Sequence, residues 1–304
     1  MITKLILDTD ITTDIDDCLA LALIVASPEL QLEGVTCVYG DVDLRARYTA
    51  KLLALCGMTS VPITAGMRLP LMNKRPVYWG GHEGRGFLTP EDDALSYSSE
   101  HAVDFIVRMV NEQPGQIHLV AIAPLTNVAM AILRDPKLPL AHLTIMGGVM
   151  RGANGLHLPY AEHNIICDAD AAHVVFSSGI PTTLIPLDLT TQVRVRRAGM
   201  ERIRAGGTPF QHAVADQLAV YPHFAANDFT YLHDPLAIAM LIDPSLVEFK
   251  PVHIDVETNG QHSLGATLMR ADDSSPIRVG VSVDVARFEE LFVSRVASIS
   301  GKQM

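Results

Sequence analysis

Leu5-Ile6-Leu7-Asp8-Thr9-Asp10-Ile11-Thr12-Thr13-Asp14-Ile15-Asp16-Asp17 joins a short apolar run to five carboxylates packed into ten positions. The unbroken run from Lys4 to Leu7 reads as a parallel strand buried on both faces, and the helix-period pattern from Ile15 to Ala26 reads as the helix that follows it. The carboxylates therefore fall in the turn at the carboxyl end of a buried strand. Like charges crowded there repel one another, so a fold keeps them only where a cation or a polyhydroxy ligand compensates. One stretch thus fixes a βα unit and points to a hard-metal site.

Working outward, the same alternation recurs. Leu32 to Tyr39 precedes Leu44 to Leu55, and Ile117 to Ile122 precedes Thr126 to Leu133. Leu143 to Met146, Ala169 to Ser177 and Thr183 to Leu187 continue it, and a strand near Ile277 to Val285 with a helix from Ala286 to Ser298 closes the chain. Strands alternating with helices predict an α/β fold, a mostly parallel, Rossmann-like sheet flanked by helices, with ligands at the carboxyl ends of the strands. Two stretches break the pattern, Arg68 to Ser99 and Met150 to Tyr160, both carrying Gly and Pro. Loops of that length in a compact domain are usually functional. No linker, repeat or low-complexity segment divides the chain, so residues 1–304 read as a single domain.

With 48% hydrophobic residues the chain has material for a large core. A formal charge of −11 with 23 Lys plus Arg argues against nucleic acid or an anionic membrane as partner and suits a metal ion or a small molecule. Cys18, Cys37, Cys56 and Cys167 lack CxxC spacing and read as core residues. The apolar start is too short for a signal peptide and no run approaches ~20 residues, so a soluble cytoplasmic protein is expected.

Two families begin in this way. Asp8-Thr9-Asp10 resembles the opening of a haloacid-dehalogenase-type phosphatase, with a nucleophilic first Asp. That scheme also needs a later lysine and carboxylate pair; Gly40-Asp41-Val42-Asp43 comes too early, and Asp14, Asp16 and Asp17 are left without a task. The second resemblance extends along most of the chain. Asp8-Thr9-Asp10, then Asp16-Asp17 and Cys18-Leu19-Ala20-Leu21-Ala22, is similar to the signature of the inosine-uridine nucleoside hydrolase family. Ala123-Pro124-Leu125-Thr126-Asn127, Met146-Gly147-Gly148, Asn154, Ala161-Glu162-His163-Asn164 with Asp168-Ala169-Asp170-Ala171-Ala172, and His233-Asp234-Pro235-Leu236-Ala237 follow in that family's order.

The resemblance implies calcium-dependent hydrolysis of the N-glycosidic bond of ribonucleosides, giving free base and ribose through an oxocarbenium-like transition state. It implies Asp10, Asp17 and Asp234 with the Thr126 carbonyl as Ca2+ ligands, and Asp10 also as general base. It implies His233 as proton donor to the base, Asp16, Glu162, Asn154 and Asn164 as ribose ligands, and Asp8 as an orienting residue behind them. His82, in Gly81-His82-Glu83-Gly84, resembles the family's loop histidine near the nucleobase, with Tyr78 and Trp79 as stacking candidates. A homodimer or homotetramer is implied as well. The alternative from another class is a non-catalytic calcium- and nucleoside-binding protein of the same fold, which would need the ligands but no acid/base pair.

The chain departs from the family pattern at three places. Five residues, Ile11 to Ile15, separate Asp10 from the Asp pair, two more than the common form with its Pro-Gly, and Asp14 is an added carboxylate able to share or replace a role. Asp41 stands where the family usually has a ribose-binding Asn, and is carried here as a substrate-binding candidate. Thr191 stands where many relatives have a His. His101, His142, His173 and His212 read as structural or solvated, Asp188 as a cap, and His163 as pointing away from Glu162 and Asn164 if that segment is extended.

Overall fold

Leu5, Ile6 and Leu7 are consecutive and all fully buried, yet they serve two cores. Leu5 and Leu7 pack into one and Ile6 into the other, as the two-residue period of a strand covered on both faces requires. The computed structural model describes residues 2–150 and 157–299.

The first half of the chain runs β1 (Thr3–Thr9), α1 (Asp16–Val25), β2 (Leu30–Cys37), α2 (Val42–Ala54), β3 (Ile63–Ala65), α3 (Ala102–Glu112), β4 (Ile117–Ala121), α4 (Thr126–Arg134) and β5 (His142–Met146). After the 151–156 segment come α5 (His163–Cys167), α6 (Ala169–Phe176), β6 (Thr182–Ile185), α7 (Leu187–Thr190) and β7 (Arg194–Arg196). Then follow α8 (Arg197–Arg204), α9 (Pro209–Val220), α10 (Pro222–Asn227), β8 (Phe229–Tyr231) and α11 (His233–Ile242). The chain finishes with β9 (Val247–Val256), β10 (Thr267–Ala271), β11 (Ile277–Val283) and α12 (Val285–Ala297).

Nine strands form one sheet in the order β10-β9-β11-β6-β5-β4-β1-β2-β3, and β7 pairs with β8 apart from it. β9 runs antiparallel to both neighbours, while β2, β4, β5, β6 and β11 pair in parallel with the strands they meet on the other side. Helices α1, α2, α9, α11 and α12 contribute to the core on the face of Leu5 and Leu7, and α3, α4 and α6 to the core on the face of Ile6. The result is a single α/β domain of three layers.

Chain order reverses at β1. From it the strands step through β2 to β3 on one side, while β4, β5 and β6 run toward the other edge. Such a switch point opens a crevice outside the carboxyl ends of the two central strands, β1 and β4. The acidic stretch leaves β1 into that crevice.

The expected βα units are present, with ends shifted by a residue or two. Arg68 to Ser99 holds no helix beyond a 3-10 turn at Pro90–Ala94. Cys18, Cys37 and Cys56 are buried as expected, whereas Cys167 is half-exposed, its Sγ 3.5 Å from His163 Nε2. No helix among the described residues is long and apolar enough to cross a membrane.

Candidate active site

Two helices aim their first turns at the crevice. Asp16 and Asp17 open α1, Asp234 lies in the first turn of α11, and ligand atoms of the three lie within 4.8 Å of one another. Helix N-termini favour anions, but all three carboxylates are buried. Burial, then the neighbouring charge of Asp14, pushes Asp16 up to about 8. Burial and the charges of neighbouring carboxylates hold Asp17 and Asp234 well above the usual carboxylate range. Thr9 donates its hydroxyl proton to Asp17. Buried carboxylates this close fit a hard divalent cation, which would relieve the repulsion that burial makes costly.

Asp10, just past the end of β1, has a cationic neighbour. Arg45 of α2 is fully buried, and its Nη2 lies 3.8 Å from Asp10 Oδ2. The same guanidinium donates to the carbonyls of Asp10, Ile11 (2.8 Å) and Tyr39 (2.7 Å) and to the Thr13 hydroxyl (2.9 Å). Asp8 sits one layer deeper. It accepts hydrogen bonds from the Thr36 hydroxyl (2.5 Å) and Asn127 (2.8 Å), its Oδ2 has no partner, and burial pushes it up to about 7.

Glu162 and Asn164 form the opposite wall. Glu162 caps α5, accepting from the backbone N–H of Asn164 (2.8 Å), Ile165 (3.2 Å) and Gly148 (3.1 Å). Asn164 donates to the carbonyls of Ile122 and Met146, both at 3.2 Å. His233 closes one end. Its Nδ1 lies 2.7 Å from the Thr190 hydroxyl, the Tyr231 ring lies tilted against it with centres 5.2 Å apart, and burial lowers its pKa to about 4.

These parts surround a cavity of about 190 Å³ lined by Asp10, Asp16, Asp17, Glu162, Asn164, His233 and Asp234, seven of the residues expected from sequence. Asp41, Thr126 and His82 do not line it. Asp41 is exposed, accepts from Leu44 N–H as the cap of α2 and lies 3.9 Å from Arg68, so it does not line the cavity. Thr126 opens α4, and its hydroxyl donates to Asp168 (2.7 Å); Ile122, just past the end of β4, takes the place at the cavity wall. His82 bonds the Thr13 carbonyl at 2.9 Å and lines a neighbouring cavity. Asn154 lies outside the described residues.

Three residues carry more than the sequence suggested. His163 lines the cavity, because its segment is a helix capped by Glu162 and not an extended strand. Ile122 lines the cavity and its carbonyl accepts from Asn164, a backbone contribution with no side-chain signature. Arg45 did leave a signal: it falls on the buried stripe of α2 with Val42, Ala46, Thr49 and Leu52, where a lone cation is costly unless paired.

A switch-point crevice with buried carboxylates suited to a hard cation, beside a carboxylate and an amide able to hold hydroxyls, is an α/β site of the kind that metal-assisted chemistry on a sugar-bearing small molecule would use. The sequence profile of the inosine-uridine preferring nucleoside hydrolases matches residues 5–290. The chain is 33% identical over 315 aligned positions to a pyrimidine-specific ribonucleoside hydrolase RihA of Enterobacter sp. (strain 638), covering 99% of each. It is 30% identical to an inosine-uridine preferring nucleoside hydrolase of Leishmania major, again over 99% of each. The solved structure of a plant nucleoside hydrolase, PpNRh1, superposes with a TM-score of 0.86 at 28% identity, covering 98% of this chain and 99% of that one. The chain belongs to the inosine-uridine preferring nucleoside hydrolase family. It is a hydrolase of N-glycosyl bonds, releasing base and ribose from ribonucleosides, which sets aside the phosphatase reading of Asp8.

Proposed function

We propose that the chain is a Ca2+-dependent ribonucleoside hydrolase in which Asp10 takes the proton of the attacking water and His233 faces the departing base. The observation that carries this reading is the convergence of Asp16, Asp17 and Asp234 within 4.8 Å at the switch point, beside Glu162, Asn164 and His233. Asp10, Asp17 and Asp234 would hold the ion, with the Ile122 carbonyl replacing Thr126 because Ile122 lines the cavity. Oxygen donors in that number suit calcium, which takes roughly 6–8 of them, leaving places for ribose hydroxyls and water. When bound, the ion supplies the positive charge that makes a neighbouring water more acidic.

The protein's own groups do the rest. Asp16, Glu162 and Asn164 grip ribose hydroxyls, an arrangement that discriminates against a deoxy sugar because the unpaired buried groups would be left unsatisfied. Glu162 is fixed by the backbone N–H groups it caps, so its free lone pairs are oriented before substrate arrives. Burial lowers His233 to about 4, so at neutral pH the ring, held by Thr190 and Tyr231, offers the departing base a hydrogen bond, and it would pass a proton only from its protonated fraction. The calcium choice, a cytoplasmic setting and a homodimer or homotetramer draw their support from the family resemblance.

The test is to incubate the purified chain with inosine, uridine, adenosine and cytidine, with calcium and with chelator, and to quantify base and ribose. Calcium-dependent release is expected. Asp10→Asn should lower turnover on the order of 10³-fold or more, as loss of a base usually does when it also holds the ion. His233→Ala should slow natural nucleosides more than an aryl riboside whose leaving group needs no proton. Equal losses on both would remove His233 from the acid role, and calcium binding without any release would favour the binding-protein reading.

A further inference from the structure

Asp14 has no task in the site above, yet it occupies a shared wall. Unlike Asp10, Asp16 and Asp17 it is exposed. It lines the cavity of His233 and Asp234, and it also lines a second cavity of about 330 Å³ with His82, Arg85, Gln217 and Tyr221. The loop that carries it, two residues longer than the common family form, is gripped from both sides. His82 of the long 68–99 segment bonds the Thr13 carbonyl at 2.9 Å, and Tyr221, at the corner of α9 and α10, donates its hydroxyl proton to Asp14 Oδ1. Among the described residues, no arginine or lysine pairs with this carboxylate, and its Oδ2 accepts no hydrogen bond.

Given the hydrolase reading, on which this step rests, ribose lies over Asp16, Glu162 and Asn164 with its scissile bond toward His233. Asp14, which lines both cavities, stands between that position and the second cavity. We infer that the second cavity receives the nucleobase and that Asp14 is a specificity-determining residue, accepting a hydrogen bond from an exocyclic amino group of the base. A carboxylate is acceptor only. An amino group facing it gains a charge-assisted bond, whereas a carbonyl in the same place meets like partial charge. Tyr221 holds Oδ1, which leaves Oδ2 as the oxygen able to accept from the ligand. Its ring spans from the acidic loop to the second cavity, which ties base recognition to the loop that departs from the family form. The substrates favoured are ribonucleosides with amino-bearing bases.

Two substrate pairs isolate the contact. Cytidine and uridine differ by an amino group against a carbonyl on one ring carbon, and guanosine and inosine by the presence of an amino group. The kcat/KM ratio within each pair is measured for the intact enzyme, for Asp14→Asn and for Tyr221→Phe, with an aryl riboside that offers no amino group as reference. The amino-bearing member is expected to lead in at least one pair, and Asp14→Asn to cut that lead about tenfold while slowing the aryl riboside far less. Tyr221→Phe keeps the ring and should move the ratio the same way by less. Ratios that stay put or rise in Asp14→Asn overturn the inference. So does a parallel loss on every substrate, which would place Asp14 among the groups that hold ribose or the ion. If the intact chain cleaves no nucleoside and no aryl riboside, the hydrolase reading fails first and this one with it.

Discussion

Arg45 shows how one side chain organises an acidic site. Its guanidinium spends its donors on the loop leaving β1, reaching the Asp10 and Ile11 carbonyls and the Thr12 (3.4 Å) and Thr13 hydroxyls, and its flat face lies 5.4 Å from the centre of the Trp79 ring. Thr12, at φ 98°, is a β-branched residue in the left-handed region, a conformation that survives only where surroundings enforce it. Arg45 supplies that enforcement. Arg45→Met should destabilise the fold by about 3–5 kcal/mol, the usual result of stripping one partner from a buried charged pair. Arg45→Lys should restore only part of this, since an ammonium brings the charge without the planar fork. Urea unfolding of the two variants checks it. Equal stability of Lys and Arg would mean that charge alone matters at this position.

At the scale of elements, a cap and a ligand can look alike in sequence. Asp41 follows β2 at a position where the family places a ribose ligand, but here its carboxylate accepts from Leu44 N–H at 3.0 Å and starts α2. Asp41→Ala should therefore cost about 1 kcal/mol of stability and leave KM for nucleosides unchanged, read by thermal unfolding and steady-state kinetics. A raised KM at unaltered stability would return Asp41 to the site. The same contrast explains what was legible. Parallel strands such as β1 and β4 announce themselves as apolar runs because both faces are covered, and carboxylates at their ends announce a cation. β9 is harder to read, since Pro251 interrupts it and Pro is rare inside a sheet. α5 reads as extended until Glu162 is seen to cap it. That Ile122 and not Thr126 lines the cavity was beyond sequence, because which backbone carbonyl stands at the strand end is set by where the strand ends and the helix begins, and no side chain records that.

For the whole molecule, the buried acidic crevice should make stability depend on a bound cation. In the cation-free chain, burial raises Asp8 to about 7 and Asp16 to about 8 from an ordinary 3.8. The folded state then holds protons that the unfolded chain has already released. Groups raised in this way contribute stability that is fully present below pH 3.8 and is lost as pH rises through about 7 to 8. The chelated protein should therefore melt at a higher temperature near pH 5 than near pH 8. Calcium bound at the proposed site would act in the opposite sense. It would bind ionised carboxylates, so its stabilisation should be largest near pH 8, on the order of 2.7 kcal/mol when free ion exceeds Kd a hundredfold, and should shrink as protons compete toward pH 5. Melting curves at the two pH values, each with calcium and with chelator, read all four states. The acidic crevice would lose its place as the source of this dependence if the chelated protein melted no higher at pH 5 than at pH 8. It would lose it equally if the calcium increment were the same at both, because an ion replacing protons on shared carboxylates must bind more weakly where those protons are held.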